Sequence, residues 1–355
     1  MTYPDGCKID NVMSFIIESL AKIIFVIGAV LSVVPLMTWI ERRGSALIQD
    51  RLGPNRVGPW GLLQPLADMI KFFFKEELIP QGANRTYFIL APFIALTPAL
   101  ITFAVIPFGP PTTLFGLLSE PIKLQIADVN VGILYIFAIA SLGVYGIVLA
   151  GWSSNSKYPL LGGLRSSAQM ISYEIALGLS AVGVLMQAGS LKLSRVVEAQ
   201  EGYWFIFPQF IGFIIFLVSS FAETNRLPFD LPEAEPELVA GYHTEYSSMK
   251  FALFYMAEYA NMITASALIV TLFFGGWQGL PIGGWLGLDM NRYWFLPVLW
   301  FSAKVAFFLF LFVWVRWTIP RFRYDQLMGL GWKVFFPISI FNIMLTAFLI
   351  QGGIL

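Results

Sequence analysis

Glutamates set in apolar surroundings are the residues of this chain best placed to do chemistry. Glu174 lies in Met170-Ile-Ser-Tyr-Glu-Ile-Ala-Leu177, and Glu258 lies in Tyr255-Met-Ala-Glu-Tyr-Ala-Asn261. They follow Arg165 and Lys250 by nine and eight residues. At a helical rise of ~1.5 Å per residue, that places them ~13 and ~12 Å deep in an apolar run. An ionised group at mid-membrane costs ~2.5–3.5 kcal/mol even on a lenient insertion scale, so each must be neutral, paired or facing water. Burial favours the neutral acid, which lets a carboxyl accept and release a proton near physiological pH. The chemistry these residues imply is proton relay. The competing reading is structural, for instance Lys304 neutralising one glutamate and joining two helices, with Arg316 near the inner end of the same run.

A third feature adjoins them. The segment Glu223–Glu245 holds six carboxylates (Glu223, Asp230, Glu233, Glu235, Glu237 and Glu245) with one arginine, Arg226, and the only histidine, His243. Pro228, Pro232 and Pro236 recur every four residues, so no regular helix runs through its middle. Carboxylates packed where two apolar runs converge add nothing to stability, which points to function. A solvated connector is the plain alternative. His243 has no companion histidine and reads as a hydrogen-bonded loop residue, not a metal ligand.

The elements that must position these groups are membrane spans. The chain has 355 residues, 57% hydrophobic and 12% charged, with net charge zero. A soluble domain carries about a quarter charged residues, so this is an all-α integral membrane protein. The neutral balance gives no sign of a nucleic-acid partner. One cysteine and one histidine exclude a Cys-ligated iron–sulfur site, a Cys/His zinc site, a bis-histidine haem and an intrachain disulfide. No phosphate-cradling loop or nucleophile elbow occurs, so the chain alone is not a complete enzyme. The acidic, polar start (Asp5, Asp10) lacks the basic beginning of a cleaved signal peptide, so the first span is expected to be retained.

About eight apolar stretches approach the ~20 residues that cross a bilayer: 15–39, 87–108, 129–151, 167–188, 204–222, 251–274, 294–317 and 332–351. Pro92, Pro98 and Pro107 interrupt the second. On one side the loops carry Arg42, Arg43, Arg51, Arg56, Lys71, Lys75, Arg85, Lys157, Arg165, Arg226, Lys250, Arg321 and Arg323. On the other they carry only Lys8, Lys123, Lys192, Arg195 and Arg292. That bias places the first side, with the acidic loop 223–250, in the cytoplasm and both termini on the periplasmic side. Residues 61–76 alternate at helical spacing between Leu62, Leu63, Leu66, Ile70, Phe73 and Phe74 and a polar face of Gln64, Asp68, Lys71 and Lys75, the pattern of an interfacial amphipathic helix. Residues 52–59 read as a turn-rich connector. Glu18 and Lys22 read as a local helix pair. No internal repeat is evident, and residues 1–355 read as one polytopic domain.

Several runs resemble one family in order and spacing. They are Glu41-Arg-Arg-Gly, Arg51-Leu-Gly-Pro-Asn-Arg-Val-Gly, Gln64-Pro-Leu-Ala-Asp68, Lys71-Phe-Phe-Phe-Lys-Glu-Glu77, Gly151-Trp-Ser-Ser-Asn-Ser-Lys-Tyr, Ser166–Glu174, Glu223–Glu245 and Pro320-Arg-Phe-Arg-Tyr-Asp-Gln326. The chain resembles, from about Glu41 to Trp332, the H (or 1) membrane subunit of proton-pumping NADH:quinone oxidoreductase, respiratory complex I. Gly241-Tyr-His-Thr-Glu-Tyr-Ser is closer to bacterial members. The resemblance implies a multi-pass protein of the bacterial inner membrane, with quinone as substrate and no cofactor bound by this chain alone. FMN, iron–sulfur clusters and NADH would belong to partner subunits. The implied partners are peripheral-arm quinone-site and iron–sulfur subunits, small membrane subunits, antiporter-like subunits and membrane lipid. It also implies that Glu41, Arg42, Asp68, Arg226, Phe229, Asp230, Glu233 and Glu235 line a quinone chamber, with a lipid-side entrance near residues 61–76. Glu174, Glu223 and Glu258 match glutamates proposed to begin a proton path. The quinone would be reduced on a neighbouring subunit.

Two rivals make distinct predictions. A membrane subunit of a membrane-bound hydrogenase shares parts of the acidic segment, but the Gly-Pro-Asn-Arg-Val-Gly and Pro-Arg-Phe-Arg-Tyr-Asp-Gln runs favour the quinone branch. A stand-alone transporter predicts internal repeats and activity as an isolated chain.

Overall fold

The computed structural model describes residues 6–112, 121–232, 238–279 and 295–353, with side chains from Phe15 onward. Glu233, Glu235 and Glu237 lie outside the described residues. The described residues are helical throughout, apart from turns and one isolated bridge between Thr112 and Ile122. The helices are α1 (Gly6–Ile48), α2 (Gln64–Phe74), α3 (Arg85–Ile101), α4 (Gly132–Ser153), α5 (Lys157–Ala188), α6 (Leu193–Glu198), α7 (Phe210–Glu223), α8 (Ser248–Phe273), α9 (Phe295–Thr318), α10 (Tyr324–Gly329) and α11 (Phe336–Gln351). A π-helical turn, Leu330–Phe335, joins the last two.

Among the described residues seven helical stretches are long and apolar enough to cross a membrane: 15–48, 85–105, 132–153, 157–188, 248–273, 295–318 and 324–351. Helix α7, with 14 residues, is ~21 Å long and falls short of a ~30 Å hydrocarbon core. Its apolar run begins before the helix does. Across 204–209 the backbone turns instead, with Phe205 N donating to Gln200 Oε1 and Ile206 N to Phe273 O.

Helix α8 is the hub, with 83% of its apolar window buried against 22% for α1 and for 324–351. It packs against α1, α2, α3, α7 and α9. Its sequence explains this. Ala257, Ala260, Ala265, Ser266 and Ala267 keep the surface low, so neighbouring backbones approach closely. Glycine serves the same end elsewhere. A Cβ on Gly146 of α4 would lie 2.6 Å from Ala95 N of α3. One on Gly162 of α5 would lie 2.7 Å from the backbone of Gly241 and Tyr242, which follow the acidic segment. Buried amides tie the helices together. Asn342 Nδ2 donates to Gln209 Oε1 and Gln209 Nε2 to Thr346 Oγ1, both at 2.9 Å. Such bonds hold helices where apolar burial alone gives little preference for protein over lipid.

Lys304 corrects the structural pairing considered above. Among the described residues its ammonium meets no glutamate. It donates instead to the carbonyls of Phe274, Gly276 and Gln278 at 2.7, 3.0 and 2.6 Å, over the Trp204 ring at 4.7 Å. A cation there satisfies carbonyls just past the end of α8 and complements its dipole. Lys304→Met will strip these carbonyls of their donor and destabilise the fold by about 1–3 kcal/mol. This is read as a lower thermal midpoint of the purified protein, and an unchanged midpoint would contradict the capping role.

Helix α2 is anchored to α1 by Arg42 Nη1 and Asp68 Oδ2 at 2.5 Å, with Gln64 Nε2 donating to Asp68 Oδ1. Ser248 Oγ donates to Phe72 O and ties α2 to α8. Leu66, Ile70, Phe73 and Phe74 are left exposed along one side. Glu18 and Lys22 form the expected i, i+4 pair at 2.6 Å.

Candidate functional site

Helix α1 continues past residue 39 to Ile48, and this extension carries Glu41 into the protein interior. Three side chains meet its carboxylate. Arg226 Nη1 approaches both oxygens, at 3.1 and 3.0 Å, and Tyr259 Oη donates to Oε2 at 2.7 Å. Arg316 Nη1 is ion-paired with Oε1. Glu41 is 6% exposed and Arg226 3%, so the attraction acts with little solvent screening.

Arg226 reaches a second acid. Its Nε lies 2.8 Å from Glu258 Oε1, without the alignment of a hydrogen bond. The guanidinium sits over the Tyr259 ring, 4.3 Å from the centroid. Burial alone would favour the neutral guanidine, but Glu258 and Glu41 hold Arg226 protonated and raise its pKa well above the usual arginine value. Beside this group Arg321 Nη2 donates to Asp230 Oδ2 at 2.9 Å. Among the described residues three carboxylates (Glu41, Asp230, Glu258) thus face three guanidiniums (Arg226, Arg316, Arg321), so their formal charges balance. Opposite charges so placed offset the desolvation of Glu41, Arg226 and Asp230, which are buried, while Glu258, Arg316 and Arg321 stay partly exposed.

The position of Arg226 follows from the turn after α7. Gln169 of α5 clamps that turn by donating Nε2 to Ala222 O and Phe229 O, each at 2.7 Å. Phe229 is packed between Tyr173 and Phe322, with centroids at 5.6 and 5.3 Å. Arg42 and Asp68 pair with each other and stand apart from the cluster.

Glu223 and Glu258 both line a cavity of about 380 Å³, counting its open mouth, together with Asn225, Tyr242 and Asn261. The space is large enough to admit water between the two acids. Arg226, next in sequence to Asn225, keeps Nη2 buried without a hydrogen-bond partner among the described residues, a spare donor. Glu174 lies close enough to Glu223 to act on it electrostatically, and no cation pairs with either among the described residues. Of the residues singled out in the sequence, the structure brings Glu41, Arg226, Asp230 and Glu258 together and sets Glu223 on the same cavity as Glu258. Sequence reasoning missed Tyr259, which only its adjacency to Glu258 could have flagged. It counted Arg316 and Arg321 merely as charges near a span end.

His243 sits in a ring cage of Tyr242, Phe251 and Tyr255, with centroids at 4.9, 5.2 and 6.2 Å. Burial pushes its pKa down from 6.5 to about 4. The unfolded chain then binds a proton between pH 6.5 and 4 that the native state refuses. The full contribution of the neutral ring is present above about pH 6.5. Stability falls as pH drops, by roughly 1.4 kcal/mol per unit across the window. Thermal midpoints at pH 7.5 and 5 will show the decline, and His243→Phe will flatten it. Parallel curves for the two proteins would contradict this assignment.

A helical fold with seven membrane-length apolar segments among the described residues, and with paired acids and guanidiniums in its interior, defines a multi-pass membrane protein with internal ionic chemistry. The family model for NADH dehydrogenase matches residues 21–347, and the chain belongs to that family. A Koribacter versatilis protein, the second of its organism's NADH-quinone oxidoreductase H subunits, is 52% identical over 350 residues, covering 95% of this chain and 98% of the relative. The first NADH-quinone oxidoreductase H subunit of Geobacter metallireducens is 54% identical over 332 residues, covering 94% and 96%. The first such H subunit of Cytophaga hutchinsonii is 52% identical over 335 residues, covering 94% and 97%.

Proposed function

We propose that this chain is the H subunit of a bacterial inner-membrane NADH:quinone oxidoreductase, and that it forms the quinone entrance and chamber and couples quinone reduction to proton translocation. One observation carries the coupling reading: Glu223 and Glu258 share a cavity, and Arg226 joins Glu258 to Glu41. Eight crossings with both termini outside would set the acidic segment on the cytoplasmic side, where a peripheral arm could dock. NADH, FMN and iron–sulfur clusters would belong to partner subunits.

The chamber would be bounded by Glu41, Asp230 and Arg226, with Glu233 and Glu235 contributing from the acidic segment and Phe229 packing behind it. The exposed apolar side of α2, pinned through Arg42 and Asp68, would flank the lipid-side entrance. Reduction of a quinone to a quinol takes two electrons and two protons. A transient quinone anion near the cluster would compete with the carboxylates for the guanidiniums. Glu258, held by Arg226 only through a poorly aligned contact, would be the carboxylate freed to take a proton from the cavity. Glu223 and Glu174 would pass charge onward. Purification of the tagged chain from native membranes tests the assignment. It should bring down a flavin- and iron–sulfur-containing assembly that reduces quinone with NADH, whereas a lone 39.7 kDa protein would refute it.

A further inference from the structure

We propose that Tyr259 is a positioning residue that sets how Arg226 is divided between Glu41 and Glu258. The inference rests on the coupling role proposed above. One cation serves two acids here, and the division between them is what a proton-loading step would have to change. Tyr259 holds both sides of that division. Its hydroxyl donates to Glu41 at 2.7 Å, and its ring lies under the Arg226 guanidinium at 4.3 Å. Arg316 adds a further contact to Glu41.

With Tyr259 and Arg316 serving Glu41, that acid does not need all of Arg226, and Nε remains within 2.8 Å of Glu258. Take the hydroxyl away and Glu41 Oε2 loses its shortest donor. Arg226 is the donor left beside that oxygen, so it swings toward Glu41 and away from Glu258. The local sequence makes the arrangement compact. Glu258 and Tyr259 are consecutive on α8, and their side chains diverge by ~100°. One lines the cavity and the other enters the cluster, with Arg226 bridging the two. The ring does a separate job. A desolvated cation over an aromatic face is held in place without consuming a hydrogen bond, so hydroxyl and ring can be tested apart.

The experiment uses the intact assembly in inverted membrane vesicles, each variant being the sole copy. NADH:quinone turnover and protons moved per electron are measured together, and NADH oxidation by a water-soluble acceptor reports assembly. Tyr259→Phe keeps ring and volume. It should assemble fully, and the proton-to-electron ratio should fall by about half or more, beyond any fall in turnover. Tyr259→Leu removes ring and hydroxyl and should lower turnover about tenfold as well. A merely structural tyrosine would lower turnover and pumping in proportion and leave the ratio unchanged; that result, or loss of assembly in Tyr259→Phe, overturns the proposal. Glu258→Gln measured alongside separates two kinds of failure. A normal ratio in Tyr259→Phe with a depressed one in Glu258→Gln removes the positioning role alone, whereas normal ratios in both remove the coupling reading as well.

Discussion

Arg226→Ala will be the most damaging single substitution in the cluster. It leaves Glu41 with Tyr259 and Arg316 as its remaining partners and Glu258 without its nearest cation, both in surroundings nearly closed to solvent. Removing one partner of a buried ion pair costs about 3–5 kcal/mol, because the charge left behind is uncompensated. A membrane subunit of ordinary stability has little more than that in reserve. The expected outcome is loss of the assembled complex from native gels and of quinone turnover with it. Arg226→Lys keeps the charge but not the guanidinium that approaches Glu41 with Nη1 and Glu258 with Nε. It should assemble in part and remain impaired, since an ammonium cannot reproduce that fork. Normal assembly of the alanine variant would mean that the two carboxylates are neutral in the native protein, and that the ionic account of the cluster is wrong.

Glu258→Gln makes a gentler change with a larger functional consequence. Glutamine fills the same volume, still lines the cavity with Glu223 and still offers Arg226 an oxygen. It cannot bind and release a proton. Removal of a group that transfers protons lowers rates by ~10²–10⁴-fold where the transfer is obligatory. Quinone turnover should therefore fall at least about tenfold, while NADH oxidation by a water-soluble acceptor, which bypasses this chain, stays intact. Full quinone turnover and full pumping together would exclude Glu258 from the route.

Much of this site was legible because charge is costly in apolar runs. Glu174 and Glu258 stand out from their neighbours by that argument alone, and the carboxylates and prolines of Glu223–Glu245 stand out by density. The illegible parts share a physical cause: they depend on partners far apart in the chain. Glu41-Arg42-Arg43 reads as the end of a span, yet α1 runs on to Ile48 and carries Glu41 to Arg226, 185 residues away. Lys304 has the composition of a glutamate partner, but the end of α8 brings three carbonyls to it first. The helical start of α5 at Lys157, ten residues before its apolar stretch, follows the close packing of Gly162 on Gly241. Composition could not show that contact. Tyr259 carries no charge and sits in a helix with other aromatics, so only geometry reveals its two contacts.

If the row from Glu174 to Glu258 moves protons when quinone is reduced, interrupting it at both ends must uncouple the two. The direct measurement is the number of protons translocated per electron in proteoliposomes containing the assembly with Glu174→Gln and Glu258→Gln combined. Residual quinone reduction is expected, with a ratio well below that of the parent. A double variant that assembles and pumps with the parent's ratio would contradict proton movement along this row.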